Sequence, residues 1–184
     1  MSKNKLYLIY LGGKAKGSNI ENHDLRWVVG ESIESTFSEL RRQWYGQIKG
    51  LHIDSYIAIN YIDGFQVNLL NANEDKGIGQ CIVREKLWFV NLGGYDRSVM
   101  NELHEFSLVV ADSAKIAKSK AKSNLLRNAI SKHVDNLSHI NGCFGIDECL
   151  QIERIGEWKI ELIKDPQCRS QSMRPDWFGY RRID

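Results

Sequence analysis

The sequence predicts an α+β fold, in which two tandem ββαββ repeats pack as one domain with pseudo-two-fold symmetry. Three observations predict it. The chain repeats itself at a constant shift, each copy shows a strand–strand–helix–hairpin pattern, and each copy closes its last hairpin with a two-residue turn. A repeat of about 80 residues is marginally stable alone, so the two repeats are expected to share one core.

The repeat is visible when the sequence is aligned with itself. The string "LYLIYLGG" recurs as "LWFVNLGG", and the same shift of 81 residues carries His23 to His104. It also carries "HID" at His52 to "HVD" at His133. After an inserted stretch, "LSHINGCFGIDE", the shift becomes 93 and matches "IAINYIDGFQVNLL" to "LQIERIGEWKIELI".

These matches define the predicted domain organisation. The first repeat covers residues 5–70, a connecting loop 71–80, the second repeat 81–163 with an inserted loop near 137–148, and a C-terminal tail 164–184. The glycine, asparagine and aspartate of the insertion favour a loop.

The first repeat contains signals for each of its elements. "LYLIYL" and "HDLRWVV" are rich in β-branched and aromatic residues, as strands are. Ser32 is predicted to cap a helix whose apolar stripe starts at Ile33, and Gly46 to follow that helix in a left-handed conformation. Gly12-Gly13 lacks any nucleotide-binding context, so it is expected to provide either a positive φ or close backbone approach.

Turn and helix signals recur in modified form in the second repeat. Asp63-Gly64 predicts a type I′ hairpin turn, whereas the matching Gly156-Glu157 predicts a type II′ turn. The second helix, predicted from Ser113, has an apolar stripe made mainly of alanine. Small side chains allow that helix to approach its neighbours closely.

Composition limits the possible functions. The 184 residues include 25 basic and 23 acidic ones, for a net charge of +2, so no strong general field attracts nucleic acid or an anionic membrane. No apolar run is long enough for a signal peptide or a membrane span, and a cytoplasmic location is expected. None of the four cysteines forms a C-x-x-C pair, which favours free thiols.

Several of these strings together resemble a known family. "YLGG", "NIENHDLRWVVGESIE", "GLHIDSY", "FVNLGGYD" and "ELHEF" are similar to the bacterial domain-of-unknown-function 1543 family. The resemblance covers the chain from Leu6 to about Ile163 and implies a domain that occurs in one or two copies. It implies no activity, substrate or catalytic residue.

Histidines with nearby carboxylates are the candidate catalytic groups. The candidates are His23, His52, Asp54, His104, His133 and Asp135, and the candidate metal ligands among them are His52, Asp54, His133 and Asp135. Imidazoles and carboxylates bind divalent transition metals or transfer protons near neutral pH. His23 and Asp24 are adjacent on a strand and should point to opposite faces, whereas His52 and Asp54 should share one. Recurrence in both repeats favours a structural role, and no cofactor is expected unless a divalent metal binds here.

Two surface features suggest partners. The second helix has a lysine stripe that favours a solvated face over RNA binding. The tail "MRPDWFGYRRID" mixes aromatic and basic side chains typical of interfaces, and we expect it to pack on its own domain or on a partner subunit. Its candidate interface residues are Trp177, Phe178, Tyr180 and Arg181.

Two functions from different classes follow. The first is a non-enzymatic cytoplasmic protein that binds a partner or self-associates as a homo-oligomer. The alternative is a metal-dependent or acid–base enzyme that uses the duplicated histidine and acid positions in a cleft between the repeats. Whether the chain is an enzyme stays open at this point, and nucleic acid and membranes are not expected partners.

Overall fold

The computed structural model describes residues 4–71, 84–94, 100–123 and 144–184. The first half contains β1 (Lys5–Gly13), β2 (Asn22–Gly30), a 3-10 turn (Glu34–Thr36), α1 (Phe37–Gln43), β3 (His52–Ile59), β4 (Tyr61–Ile62) and β5 (Phe65–Asn71). The second half contains β6 (Lys86–Gly94), β7 (Leu103–Ala111), α2 (114–123), β8 (Phe144–Gln151), β9 (Arg154–Ile155) and β10 (Trp158–Lys164), and β11 (Trp177–Arg182) ends the chain. The fold is mixed and mostly antiparallel, as the α+β prediction requires.

Three antiparallel sheets organise these strands. Their orders are β11-β3-β1-β2, β7-β6-β8 and β4-β5-β10-β9. The third sheet joins the two halves because β5 pairs with β10. Its register sets Asn68 opposite Glu161, two positions that the shift of 93 had matched, and the Asn68 amide donates a hydrogen bond of 3.1 Å to the Glu161 carboxylate.

The apolar residues form a shared core with a helix-covered cluster on either side. One buried cluster takes Leu8 and Ile57 from the first half and Phe89 and Leu162 from the second. Because successive strand residues face opposite sides, Ile9 of β1 points away from this shared cluster into a second one under α1. A third cluster lies under the alanine stripe of α2. Its two fully buried alanines are Ala117 and Ala121.

The hairpin turns agree with the predictions made from their residues. Asp63 and Gly64 have φ values of 50° and 81°, the two positive angles of a type I′ turn. Gly156 has a φ of 59°, and Glu157 after it is not among the residues with positive φ, as a type II′ turn requires. Both two-residue turn predictions are confirmed.

Two local predictions were wrong. Gly46 does not take a positive φ; a Cβ there would lie 2.4 Å from the Lys14 carbonyl oxygen, so glycine is needed for close packing. Residues 137–148 are not all loop, since β8 begins at Phe144 and pairs with β6. Residues 137–143, and all of the predicted connection except Asn71, lie outside the described residues.

The tail returns from the second half to the first. Gln171 accepts hydrogen bonds from the backbone of Asn60 and Tyr61 and donates one to the Ala58 carbonyl oxygen. β11 then pairs with β3 and becomes the edge of the first sheet, and Ile183 is buried in the cluster under α1. The tail therefore packs on its own domain, one of the two outcomes expected for it.

The helices have limited length. Within the described ranges, no helix is long and apolar enough to cross a membrane.

Candidate functional site

Two histidines and two carboxylates meet at one end of the first sheet. We call Glu21, His23, His52 and Asp54 the His–acid cluster. His52 Nε2 lies 2.9 Å from Glu21 Oε1 and 3.3 Å from Asp54 Oδ1. His23 Nε2 lies 3.4 Å from Glu21 Oε1 and 3.2 Å from Asp54 Oδ2. Each imidazole thus faces both carboxylates.

His52 is the buried member of the cluster. Its side chain is 2% exposed, and its Nδ1 lies 2.8 Å from the Gly50 carbonyl oxygen. The Tyr180 ring packs on the imidazole with a centroid distance of 4.1 Å. These contacts orient His52 so that Nε2 points at the two carboxylates.

Asp54 lies at a bulge of β3. Tyr10 pairs with Ser55 and Leu11 with Ile53, so Asp54 is the extra residue between them. Bulges often redirect a side chain beside a functional site. Asp54 Oδ2 is buried, and it accepts no hydrogen bond from any residue that the structure describes.

Gly12 makes room for the cluster. It lies on β1 opposite His52, and a Cβ on it would lie 2.5 Å from His52 Nε2 and 2.7 Å from Glu21 Oε1. Neither Gly12 nor Gly13 has a positive φ. Of the two expectations for this pair, close approach is confirmed and positive φ is wrong.

Among the described residues, the second half does not repeat the cluster, and strand pairing sets Gly145 at the position where the sequence alignment set His133. Gly12 pairs with His52, whereas the equivalent Gly93 pairs with Gly145. The shift of 93 therefore already applies along β8, and Gly145 takes the place predicted for His133. The reason is that strand pairing, and not the local string "HVD", determines equivalence. His133 and Asp135 themselves lie outside the described residues.

The second half retains the other pair of residues. Glu102 and His104 correspond to Glu21 and His23, with His104 Nε2 at 3.8 Å from Glu102 Oε2. The Asn91 amide nitrogen lies 3.1 Å from His104 Nδ1 and donates to Glu148 at 2.7 Å. A histidine with an acid two residues before it is therefore common to both halves, whereas among the described residues the pairing position of His52 holds Gly145 in the second half.

A cleft of about 750 Å³ lies between the halves and reaches the cluster at His23. Tyr10 and His23 line it from the first half, stacked at a centroid distance of 5.4 Å, and Asn91 and His104 line it from the second. Burial raises the pKa of Tyr10, and the nearby charges of Asp54 and Asp24 raise it further. The cleft thus brings together two of the predicted histidines, one from each half.

The cleft has an aromatic wall and a set of charged side chains. Trp27, Phe89 and Phe106 form the wall, with centroid distances of 6.0 Å from Phe89 to each of the other two rings. Two arginines at the cleft are already paired, Arg26 with Asp24 and Arg42 with Glu39, each at 2.5 Å. Arg154, which also lines the cleft, makes no ion pair with a described residue.

Sequence reasoning found part of this site. The expected separation of His23 from Asp24 is confirmed, because Asp24 binds Arg26 instead. His52 and Asp54, which were expected to share a face, lie together, with His52 Nε2 3.3 Å from Asp54 Oδ1. Glu21 was missed, although its spacing of two residues from His23 is a signal that both side chains share a face.

The candidate interface residues of the tail separate into two groups. Trp177 stacks on Tyr56 at 6.0 Å, and Arg181 forms a 2.6 Å ion pair with Glu34, so both act within the chain. Phe178 and Tyr180 remain 79% and 64% exposed.

Comparisons with known proteins confirm the resemblance seen in the sequence. A family model described as Domain of Unknown Function (DUF1543) matches residues 18–69 and again 99–150. The crystal structure of protein Il1583 from Idiomarina loihiensis matches with a TM-score of 0.70 and 32% sequence identity, over 98% of each chain. A search of curated proteins finds no significant match. Because the two family matches span more than half of the chain, it belongs to the DUF1543 family and contains two copies of its domain.

Proposed function

We propose that this protein is a ligand-binding domain whose binding site is the cleft between its two halves. One observation carries the proposal: equivalent positions of both halves line a single cleft, Tyr10 with Asn91 and His23 with His104. Its volume of about 750 Å³ lies within the range of small-molecule sites. A site built jointly by two copies gives a functional reason for tandem domains in one chain.

We also propose that the halves are ββαββ repeats related by a pseudo-two-fold axis. The support is the register between β5 and β10, in which Phe65 pairs with Lys164 and Asn71 with Trp158. The shift of 93 converts one of these pairs into the other, as a two-fold axis requires. The predicted bounds of 5–70 and 81–163 belong to this proposal, and the axis would pass beside Asn68 and Glu161.

The lining indicates the chemical class of the ligand. Trp27, Phe89 and Phe106 offer an apolar surface to a flat ring. Arg154 offers a guanidinium that no described carboxylate neutralises, and a guanidinium binds a carboxylate or sulfonate with two hydrogen bonds. The preferred ligand is therefore a small organic anion with an aromatic portion.

Binding of 8-anilinonaphthalene-1-sulfonate tests this proposal, because the dye combines an aromatic surface with a fixed anion. We expect saturable 1:1 binding by fluorescence titration. Replacing Arg154 with glutamine removes a charged hydrogen bond worth about 1.5–3 kcal/mol, so affinity should fall by about 10-fold or more.

Matched controls separate the cleft from the remaining surface. Arg174→Gln removes an exposed cation outside the cleft and should leave the affinity unchanged. N-phenyl-1-naphthylamine, which lacks the sulfonate, should bind equally to the native chain and to Arg154→Gln. Equal affinity of the sulfonate dye for the native chain and for both variants would contradict the proposed site.

Self-association is a second candidate function, supported by the exposed side of the tail. Phe178 and Tyr180 lie on β11, the outermost strand of its sheet among the described residues. An edge strand with exposed aromatic side chains can pair with a second copy of the chain. Sedimentation should give a dimer for the full chain and a monomer for Phe178→Ser, with Tyr45→Ser as an exposed aromatic control. A native chain that sediments as a monomer would exclude this function.

The cytoplasmic location also stays a proposal. Cys149 and Cys168 are both free thiols, which supports a reducing compartment. Fractionation of cells that express the full chain tests the location directly.

A further inference from the structure

Because Nδ1 of His52 carries the ring proton, Nε2 carries a lone pair. That lone pair faces two carboxylates, so a cation is needed between them. The Gly50 carbonyl oxygen can only accept a hydrogen bond, so Nδ1 of His52 must carry a proton. In the neutral ring Nε2 then has a lone pair, 2.9 Å from one carboxylate oxygen of Glu21 and 3.3 Å from one of Asp54. Three electron-rich atoms face one another beside a buried ring, and either a proton or a metal ion must lie among them.

A proton on His52 does not account for the contacts that His23 makes within the cluster. His23 Nε2 is 3.2 Å from Asp54 Oδ2, yet this buried oxygen accepts no hydrogen bond from the described residues. His23 Nε2 and Asp54 Oδ2 thus lie close together without the geometry of a hydrogen bond. A single ion that contacts both imidazoles accounts for the contacts of His52 and for those of His23.

The separations of the donor atoms agree with those around a metal ion. Ligands at about 2.0–2.2 Å from zinc lie about 2.8–3.6 Å apart in octahedral or tetrahedral arrangements. The four contacts within the cluster are 2.9, 3.2, 3.3 and 3.4 Å. The ligand atoms of Glu21, His23 and His52 also lie within 4.8 Å of one another.

The surroundings of the cluster have several features of metal sites. A ligating histidine usually donates its other ring N–H to a carbonyl or carboxylate, as His52 does to Gly50. Gly12 places no side chain of its own beside Nε2, where a Cβ would lie 2.5 Å from that nitrogen. Asp54, at the bulge of β3, brings a second carboxylate oxygen to 3.3 Å from Nε2.

We propose that Glu21, His23 and His52 bind one divalent first-row transition-metal ion, with the Asp54 carboxylate beside them. Two imidazole nitrogens and a carboxylate suit zinc, iron(II), cobalt(II) or manganese(II). Within the part of the chain that the structure describes the site occurs once, because Gly145 stands in the second half where His52 stands in the first. Metal binding here goes beyond the cleft function and does not depend on it, although a ligand in the cleft would lie beside the ion at His23.

Cobalt(II) titration of the chelator-treated full chain tests the proposal, because visible absorption bands report the number and type of ligands. We expect one Co²⁺ per chain with a spectrum of mixed nitrogen and oxygen coordination, displaced by Zn²⁺ and not by Mg²⁺. His23→Gln and Glu21→Gln change partly exposed ligands and should preserve the fold, as circular dichroism will show. Each should lower Zn²⁺ affinity by more than about 100-fold, since changing even a supporting residue costs about 10–100-fold.

The second half provides matched controls. His104→Gln and Glu102→Gln alter the equivalent positions and should leave metal affinity unchanged. The proposal is overturned if the native chain binds no Zn²⁺ or Co²⁺, if the variants of the cluster bind as tightly as the native chain, or if Mg²⁺ competes equally. It is also overturned if ¹⁵N NMR in the presence of Zn²⁺ shows His52 protonated at both nitrogens, because the cluster is then an ion-pair network.

Discussion

Gly12 is the residue whose missing side chain matters most to the candidate site. Its backbone lies against the imidazole of His52, and a Cβ would overlap Nε2 at 2.5 Å. The requirement is therefore steric. It could not be recognised from "LGGK", because the imidazole that creates it comes from a strand forty residues away in the sequence.

Gly12→Ala is expected to destabilise the fold. The new methyl group must displace His52 or Glu21, and overpacking of this kind costs about 1–3 kcal/mol in the free energy of unfolding. Urea denaturation measures the difference. Gly13→Ala is the matched control and should cost less, because its Cβ meets the Trp44 ring at 3.0 Å. A Gly12→Ala protein as stable as the native chain would contradict the close approach.

Asp165 contributes a pH dependence at the start of the tail. The Arg169 guanidinium, at 2.8 Å, holds the pKa of this carboxyl at about 2, below its usual 3.8. A lowered folded-state pKa stabilises the fold above the unfolded value, and this contribution is lost as pH falls from about 4 through about 2.

We therefore expect native stability to fall more steeply with acid than that of Asp165→Asn. Urea midpoints measured for both proteins from neutral pH down to about pH 2 test this. Asp184, whose pKa Arg182 also lowers to about 2, is present in both proteins and cancels in the comparison. Parallel curves over that pH window would refute the role of Asp165.

At the level of elements, β11 is part of the first sheet and not an appendage. Ile183, directly after it, is buried under α1, and its backbone N–H donates to the Leu51 carbonyl oxygen at 2.9 Å. The sequence indicated only that the tail should pack somewhere, because its composition suits an edge strand and an interface alike.

Ile183→Ala and Phe178→Ala should differ sharply in their effects. Ile183 is buried, so its truncation should cost about 2–5 kcal/mol. Phe178 is largely exposed, and its truncation should change stability by less than about 0.5 kcal/mol. Denaturant unfolding of both variants provides the measurement. Equal costs would show that the strand is not docked as described.

At the level of the whole molecule, the shared core couples the two halves. Leu8 and Phe89 belong to one buried cluster, and β5 and β10 share one sheet. Neither half buries its apolar face without the other, so the chain should unfold in one cooperative transition.

Leu8→Ala tests this coupling. Loss of this buried side chain should cost about 2–5 kcal/mol and raise global amide exchange in β6 as much as in β1. Ile20→Ala, at an exposed position, is the control and should alter neither. Unchanged protection of β6 in Leu8→Ala would mean that the halves unfold separately.

Features that depend on near neighbours along the chain can be predicted from the residues alone. Strand runs, the alanine stripe of α2 and the turns at Asp63-Gly64 and Gly156-Glu157 follow from local periodicity and backbone preference. The contact of Glu21 with His52, the position of Gly145 where His133 was expected, and the pairing of the tail with the first sheet become visible only in the folded chain. Those outcomes depend on strand register between distant segments, and a similar local string does not encode which residues will be hydrogen-bonded across a sheet.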